Sequence, residues 1–231
     1  MPENHEMWKL IAVEWIDGSG KWTQVELLVK YLREELHKIV EMADFPQYWE
    51  PSAVMLEKYL RWEFWSSEDV WPYIASTFFA QDRYAASFDI RKWLDEWKYV
   101  ISNRYTTSSM WHQAGKIKDL AEREKFLEWL ENLEYWMFRI PRPDAVVYID
   151  MPPEIAQENV KKKAMREYLK GEKMDIHEAD IHHLANSAEA YRYVADKFGW
   201  LKLDPAPNWV LRSIEENQQA LLDLLRSNWI I

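Results

Sequence analysis

Residues Leu10 to Gln24 read L-I-A-V-E-W-I-D-G-S-G-K-W-T-Q, and this stretch constrains the fold more than any other part of the chain. An apolar run from Leu10 to Val13 comes first. A turn carrying Gly18 and Gly20 follows, then Lys21 and Thr23 at the head of a helical pattern. Strand, glycine turn and helix in that order turn backbone N–H groups inward, and the positive end of the helix adds to their field. An anion such as a polyphosphate fits there, with Lys21 as a point charge for its outer phosphates.

The P-loop pattern G-x-x-x-x-G-K-[ST] is met only in part. Trp15 occupies the first glycine position and Trp22 the hydroxyl position after Lys21. Glycine lets the backbone approach a phosphate closely and the hydroxyl helps hold Mg²⁺; indole does neither. These residues alone admit either a phosphate site or a structural strand-to-helix turn.

At 231 residues, with no shift in composition along the sequence, the chain is expected to form one α/β domain spanning residues 1–231. No apolar run approaches the length of a membrane span, and Met1 to Met7 is charged without a signal-peptide core, so a cytoplasmic protein with no membrane partner is expected. The absence of cysteine excludes disulfides, thiolate nucleophiles and cysteine metal sites. A formal charge of −10 argues against a nucleic-acid partner, because a phosphate backbone attracts a basic surface. Fifteen Trp stand beside five Gly, where glycine ordinarily makes up about 7% of a chain. Trp49, Trp62, Trp65, Trp97 and Trp209 fall where turn chemistry favours glycine and positive φ, which implies an engineered sequence with tryptophan written over glycine.

The periodicity predicts a helix over Thr23 to Lys38, a short strand over Ile39 to Met42, and a helix capped by Ser52 and running through Arg61. A long helix is expected from Pro72 to Glu96, a strand over Tyr99 to Ser102, and helices over Ser108 to Ile117 and Leu120 to Met137. Ala145 to Asp150 reads as the clearest strand, and Pro153 opens a helix that runs into the basic residues Lys161 to Lys163 and Arg166. Helix over His177 to Phe198, strand over Leu201 to Leu203 and helix over Leu211 to Arg226 complete an alternating pattern. Such alternation predicts a parallel sheet covered on both faces.

Four pieces in order carry a resemblance: V-E-W-I-D-G-S-G-K-W-T-Q, then F-F-A-Q-D-R at 78 to 83, then I-S-N-R-Y-T-T-S at 101 to 108, then P-R-P-D-A-V-V-Y-I-D-M-P-P-E at 141 to 154. Together they resemble the thymidylate kinases, P-loop nucleoside monophosphate kinases that pass the ATP γ-phosphoryl group to dTMP. The resemblance implies a three-layer P-loop NTPase fold with a parallel five-stranded sheet, a small helical lid at about 161–178, a homodimer, and ATP with Mg²⁺. It assigns Gly18, Ser19, Gly20, Lys21, Thr23, Lys163 and Arg166 to ATP, Asp17, Lys21 and Arg104 to catalysis, and Asp17 with Glu178 to the metal. On the acceptor side it assigns Phe45, Phe79, Arg83, Arg104, Tyr105 and Ser108 to dTMP, Phe79 stacking on thymine and Arg83 directed at the base one helical turn later. Asn103 stands where such kinases usually show Asp, and Gln47 is neutral where relatives offer Arg to the acceptor phosphate. The alternative expectation is a scaffold of this type that folds but is catalytically impaired, because Trp15 and Trp22 disrupt the P-loop. His177 to His183 lacks the H-E-x-x-H spacing of a zinc site, Ile181 standing where the second histidine belongs.

Overall fold

The structure is a computed structural model that describes residues 8–15, 21–61, 63–64, 70–159 and 181–231, with the side chains of Lys21 and of 181–187 excepted. Five strands form one sheet: β1 Leu10–Trp15, β2 Val40–Asp44, β3 Tyr99–Asn103, β4 Ala145–Ile149 and β5 Leu201–Leu203. Their order is β2-β3-β1-β4-β5, every pairing parallel. The apolar run at Leu10 explains the centre of this order. A strand buried on both faces reads as a continuous apolar segment, and all six residues of β1 are buried.

Alternation along β1 sorts the core into two layers. Ile11, Val13 and Trp15 face Val25, Leu28 and Leu32 of α1 (Lys21–Glu34) and Leu221, Leu222 and Leu225 of α8 (Ile214–Ser227). Leu10 and Ala12 belong to the opposite layer, with Ile90 of α3 (Pro72–Asp95), Met110 of α4 (Thr106–His112), Phe126 of α5 (Leu120–Glu131) and Tyr191 of α7 (Ile181–Phe198). Two shorter helices, α2 (Val54–Leu60) and α6 (residues 153–159), join these. Truncating one fully buried leucine of these layers, such as Leu28, costs about 2–5 kcal/mol. Among the described residues no helix is long and apolar enough to cross a membrane.

Three local expectations are corrected. Ser52 does not cap a helix: its hydroxyl donates to Asp82 Oδ1 at 2.8 Å, and a 3-10 turn over Pro51–Ala53 leads into α2. The helix expected over Leu120 to Met137 is α-helical only to Glu131 and continues as a π-helical turn over Asn132–Met137, which places Glu134 inside the molecule. The last helix begins at Ile214 rather than Leu211, because Ser213 and Glu216 form a reciprocal capping box.

Among the described residues, four tryptophans have positive φ: Trp49 (75°), Trp97 (64°), Trp209 (65°) and Trp229 (59°). Trp97 and Trp229 lie just beyond the ends of α3 and α8, where helices commonly take glycine in the left-handed conformation.

Candidate nucleotide site

In an open parallel sheet, ligands bind beyond the carboxyl ends of the strands. Here those ends bring together Trp15 of β1, Asp44 of β2 and Asn103 of β3. Asp44 and Asn103 are register partners, and Asn103 Nδ2 donates to Asp44 Oδ1 at 2.5 Å. An aspartate at 103 would set two carboxylates against each other, so the amide found here converts a repulsion into a bond.

Arg104 follows directly and has φ of 61°. That conformation costs an arginine about 1–2 kcal/mol, so the surroundings must hold it. Three hydrogen bonds do. The Arg104 N–H donates to Val13 O at 3.1 Å, Ser102 Oγ donates to the Arg104 carbonyl at 2.5 Å, and the next N–H, of Tyr105, donates to Glu14 Oε1 at 3.0 Å. The guanidinium lies 5.8 Å from the centre of the Trp15 ring and 3.4 Å from His112 Nε2. Trp15 itself is fully buried, in the layer shared with Val13 and Val25.

Glu14 is fully buried on the other face of β1. Besides the Tyr105 amide it accepts Thr107 Oγ1 at 2.6 Å, Ser108 Oγ at 2.7 and 3.0 Å to its two oxygens, and Tyr191 Oη at 2.9 Å. Tyr191 Oη also lies 2.8 Å from Trp15 O. Burial, reinforced by Glu14 and opposed by Arg104, pushes the Tyr191 phenol well above its ordinary range.

Arg83 is 1% exposed and tied to a second buried carboxylate, Glu134. Its Nε donates to Oε2 at 2.8 Å and its Nη2 to Oε1 at 2.5 Å, a two-pronged pair. Nη2 also donates to Ser109 Oγ at 2.8 Å, and Nη1 lies 3.4 Å from Tyr105 O. Burial alone would depress the Arg83 guanidinium, but Glu134 reverses this and holds it charged. The neighbouring Asp82 is engaged elsewhere, accepting the Gln47 N–H at 2.9 Å and the Ser52 hydroxyl.

The structure therefore brings Phe45, Arg83, Arg104, Tyr105 and Ser108 together, the Phe45 ring lying 5.8 Å from the Tyr105 ring. Phe79 stands one turn before Arg83 in an aromatic cluster with Tyr59 and Phe78, its ring 6.1 Å from that of Tyr59. Thr23 is exposed in the first turn of α1, after the exposed Trp22. Asp17, Gly18, Ser19, Gly20, Lys163, Arg166 and Glu178 lie outside the described residues, as do His177 to Asp180; the Lys21 side chain does too. A cavity of about 360 Å³ opens at the amino ends of β4 and β5, between Arg142, Asp144 and Trp200, with Thr107 on its wall.

Reading the sequence missed Glu14, Glu134 and Tyr191. Glu14 left a signal, a charge inside an apolar strand, which must find donors if the strand is central. Glu134 and Tyr191 left none, since each occupies an ordinary position in a helical pattern.

A five-stranded parallel sheet in this order, with helices on both faces and its polar cluster at the carboxyl edge, is the P-loop NTPase type of α/β protein. The family model for thymidylate kinase matches residues 13–195. A thymidylate kinase from Mycobacterium tuberculosis (strain CDC 1551 / Oshkosh) is 29% identical over 83% of this chain and 87% of its own length. The thymidylate kinase of Carboxydothermus hydrogenoformans is 29% identical over 74% of this chain and 79% of its own. A probable thymidylate kinase 1 of Saccharolobus solfataricus is 28% identical over 86% and 89%. The chain belongs to the thymidylate kinase family.

Proposed function

We propose that the chain transfers the γ-phosphoryl group of ATP to dTMP, giving dTDP. The observation that supports this most is Arg104, held in a left-handed conformation at the end of β3 beside Tyr105, whose ring meets that of Phe45 and whose N–H shares the Glu14 carboxylate with Ser108. Phosphoryl transfer is mostly positioning and charge neutralisation, which a fixed guanidinium supplies. Arg104 bridges donor and acceptor phosphates in this reading, and Phe79 with Arg83 forms the thymine side, Arg83 braced by Glu134. Gly18, Ser19, Gly20, Lys21, Thr23, Lys163 and Arg166 take the ATP phosphates. Mg²⁺ supplies neutralisation of phosphate charge, and the carboxylates of Asp17 and Glu178 are the hard oxygen donors it prefers.

The protein is read as one domain, cytoplasmic, with ATP and dTMP as partners. A homodimer is part of the same reading: Ile74, Tyr84 and Phe88 are exposed on one face of α3, and a second copy would cover them. A second reading, an engineered scaffold with impaired catalysis, is favoured by two observations. Trp22 sets an exposed indole in the first turn of α1, where a hydroxyl is wanted, and four tryptophans among the described residues hold the positive φ that suits glycine.

A coupled assay with dTMP, UMP and AMP tests the first reading. Turnover of dTMP well above the others is expected, and equal turnover of all three would sink the thymine assignment. Calorimetry with ATP and dTMP separately then divides the readings. Binding of dTMP with loss of ATP binding points to damage at the donor loop, and loss of both to an inert scaffold.

A further inference from the structure

The peptide group joining Arg104 to Tyr105 is clamped at both ends. Ser102 Oγ holds its carbonyl at 2.5 Å, and Glu14 Oε1 holds its N–H at 3.0 Å. With the Arg104 N–H on Val13 O, both peptide groups beside that side chain are fixed. Only the Tyr105 end of this clamp is made by an ionisable side chain. That carboxylate also accepts the hydroxyls of Thr107 and Ser108 in the first turn of α4, and of Tyr191 on α7. A strand end, the turn before α4 and a distant helix thus meet on one carboxylate that has no exposed surface.

We propose that Glu14 is a positioning residue for phosphoryl transfer: it holds the Arg104–Tyr105 peptide and the start of α4, and so keeps Arg104 aimed at the phosphates. The proposal rests on the kinase reading for its consequence and on the hydrogen-bond geometry for its mechanism. A carboxylate suits this task because it only accepts. Its two oxygens take one amide and three hydroxyls without a competing donor, and hydrogen bonds to a charged acceptor are the strong ones. A carboxamide keeps the shape but replaces one oxygen with an NH₂ that cannot accept, so the Ser108 and Tyr191 hydroxyls must turn or lose their partner. The Tyr105 N–H then bonds a neutral oxygen in place of a charged one, and the left-handed conformation of Arg104 loses part of what retains it.

A double-mutant cycle on the full chain tests this. Glu14→Gln is expected to lower kcat for transfer from ATP to dTMP by about 10- to 100-fold, the range for losing a hydrogen bond to a charged group, with KM for ATP changed less than about threefold. In an Arg104→Ala background the same substitution should lower kcat by less than about twofold. An equal loss in both backgrounds would mean that Glu14 only supports the fold, and no loss in either would end the proposal. Should Glu14→Gln fail to fold, Thr107→Val removes one donor to the same carboxylate; it is expected to lower kcat a few-fold, again only when Arg104 is present.

A ligand-free readout separates this inference from the kinase reading. In ¹⁵N-arginine spectra, the Arg104 Nε–H signal, assigned by its loss in Arg104→Lys, should be single in the parent. Glu14→Gln, or Thr107→Val, should broaden or split it while leaving Arg123, bonded to Ile117 O, unchanged. An inert enzyme whose Arg104 signal responds in this way refutes the kinase reading and retains the positioning role. An Arg104 signal that does not respond overturns the positioning role whatever the activity.

Discussion

Arg104 and Trp229 share a backbone conformation, with φ of 61° and 59°, yet stand in opposite surroundings. Arg104 is half-buried, its flanking peptides held by Val13, Ser102 and Glu14. Trp229 is 90% exposed beyond the end of α8, with its N–H on Arg226 O as the terminus of any helix would place it. The same local strain is retained in one case by a network converging on the side chain proposed to bridge the phosphates, and in the other by a turn that any residue able to take positive φ would serve better. Strain of the first kind is expected to matter for chemistry, and strain of the second kind only for stability.

The largest effect expected is on the first kind. Arg104→Ala should reduce phosphoryl transfer about 10³-fold or more, as loss of a phosphate-bridging arginine does, while the melting temperature moves by no more than a few degrees. Thermal melts beside the dTMP assay check both halves. A large drop in melting temperature with activity per folded molecule preserved would place Arg104 with the structural residues and erase the contrast.

Next comes the buried Arg83–Glu134 pair. Glu134→Ala leaves the Arg83 charge buried without its partner, which should cost about 3–5 kcal/mol in denaturant unfolding. Replacing both residues with apolar ones of similar size should recover most of that loss, because the pair's attraction is offset by its desolvation. If Glu134→Ala costs under about 1 kcal/mol, the surroundings of the pair are wetter than its burial implies.

Smaller per group, but summed over several, is the response to alkali. Burial raises the phenols of Tyr105, Tyr135, Tyr148 and Tyr191 above their ordinary range. A folded-state value above the unfolded one means that the unfolded chain gives up the proton first. The contribution is therefore complete below about pH 10 and is lost as pH rises from there toward the folded-state values. Within that window each tyrosine removes about 1.4 kcal/mol of stability per pH unit. Urea midpoints between pH 8 and pH 11 check this, and Tyr191→Phe should shallow the decline by one proton's worth. A flat profile would mean that water reaches these rings.

How much of this was readable beforehand differs by region for physical reasons. The central strand was legible because double burial demands an apolar run, and the order of strands and helices followed from two distinct periodicities. Arg104 was legible as a cation at a strand end. Its left-handed backbone was not, since nothing in N-R-Y marks it and arginine is a poor residue for it. The Arg83–Glu134 pair was also out of reach: it spans 51 positions and depends on a π-helical turn that rotates Glu134 inward. Ser52 shows the opposite failure, a good capping residue captured by Asp82 from another helix. Propensity speaks for isolated segments, and tertiary partners overrule it.

The smallest effects sharpen the surface half of the contrast. Trp229→Gly and Trp49→Gly should each stabilise the protein by up to about 1 kcal/mol. Glycine removes a left-handed penalty of about 1–2 kcal/mol, and the greater freedom of the unfolded chain takes part of that back. Little packing is lost, since the two indoles are 90% and 86% exposed, and the Trp49 N–H that bonds Glu57 Oε1 is kept by glycine. Trp97→Gly should gain less, because the Trp97 ring meets that of Trp8 edge-on at 4.4 Å and this contact goes with it. The ranking is the test: denaturant midpoints for the three variants should place Trp97→Gly below the other two. A Trp97→Gly gain equal to theirs would show that the ring contact contributes nothing. Losses at all three would mean that the turns are shaped by their indoles rather than strained by them.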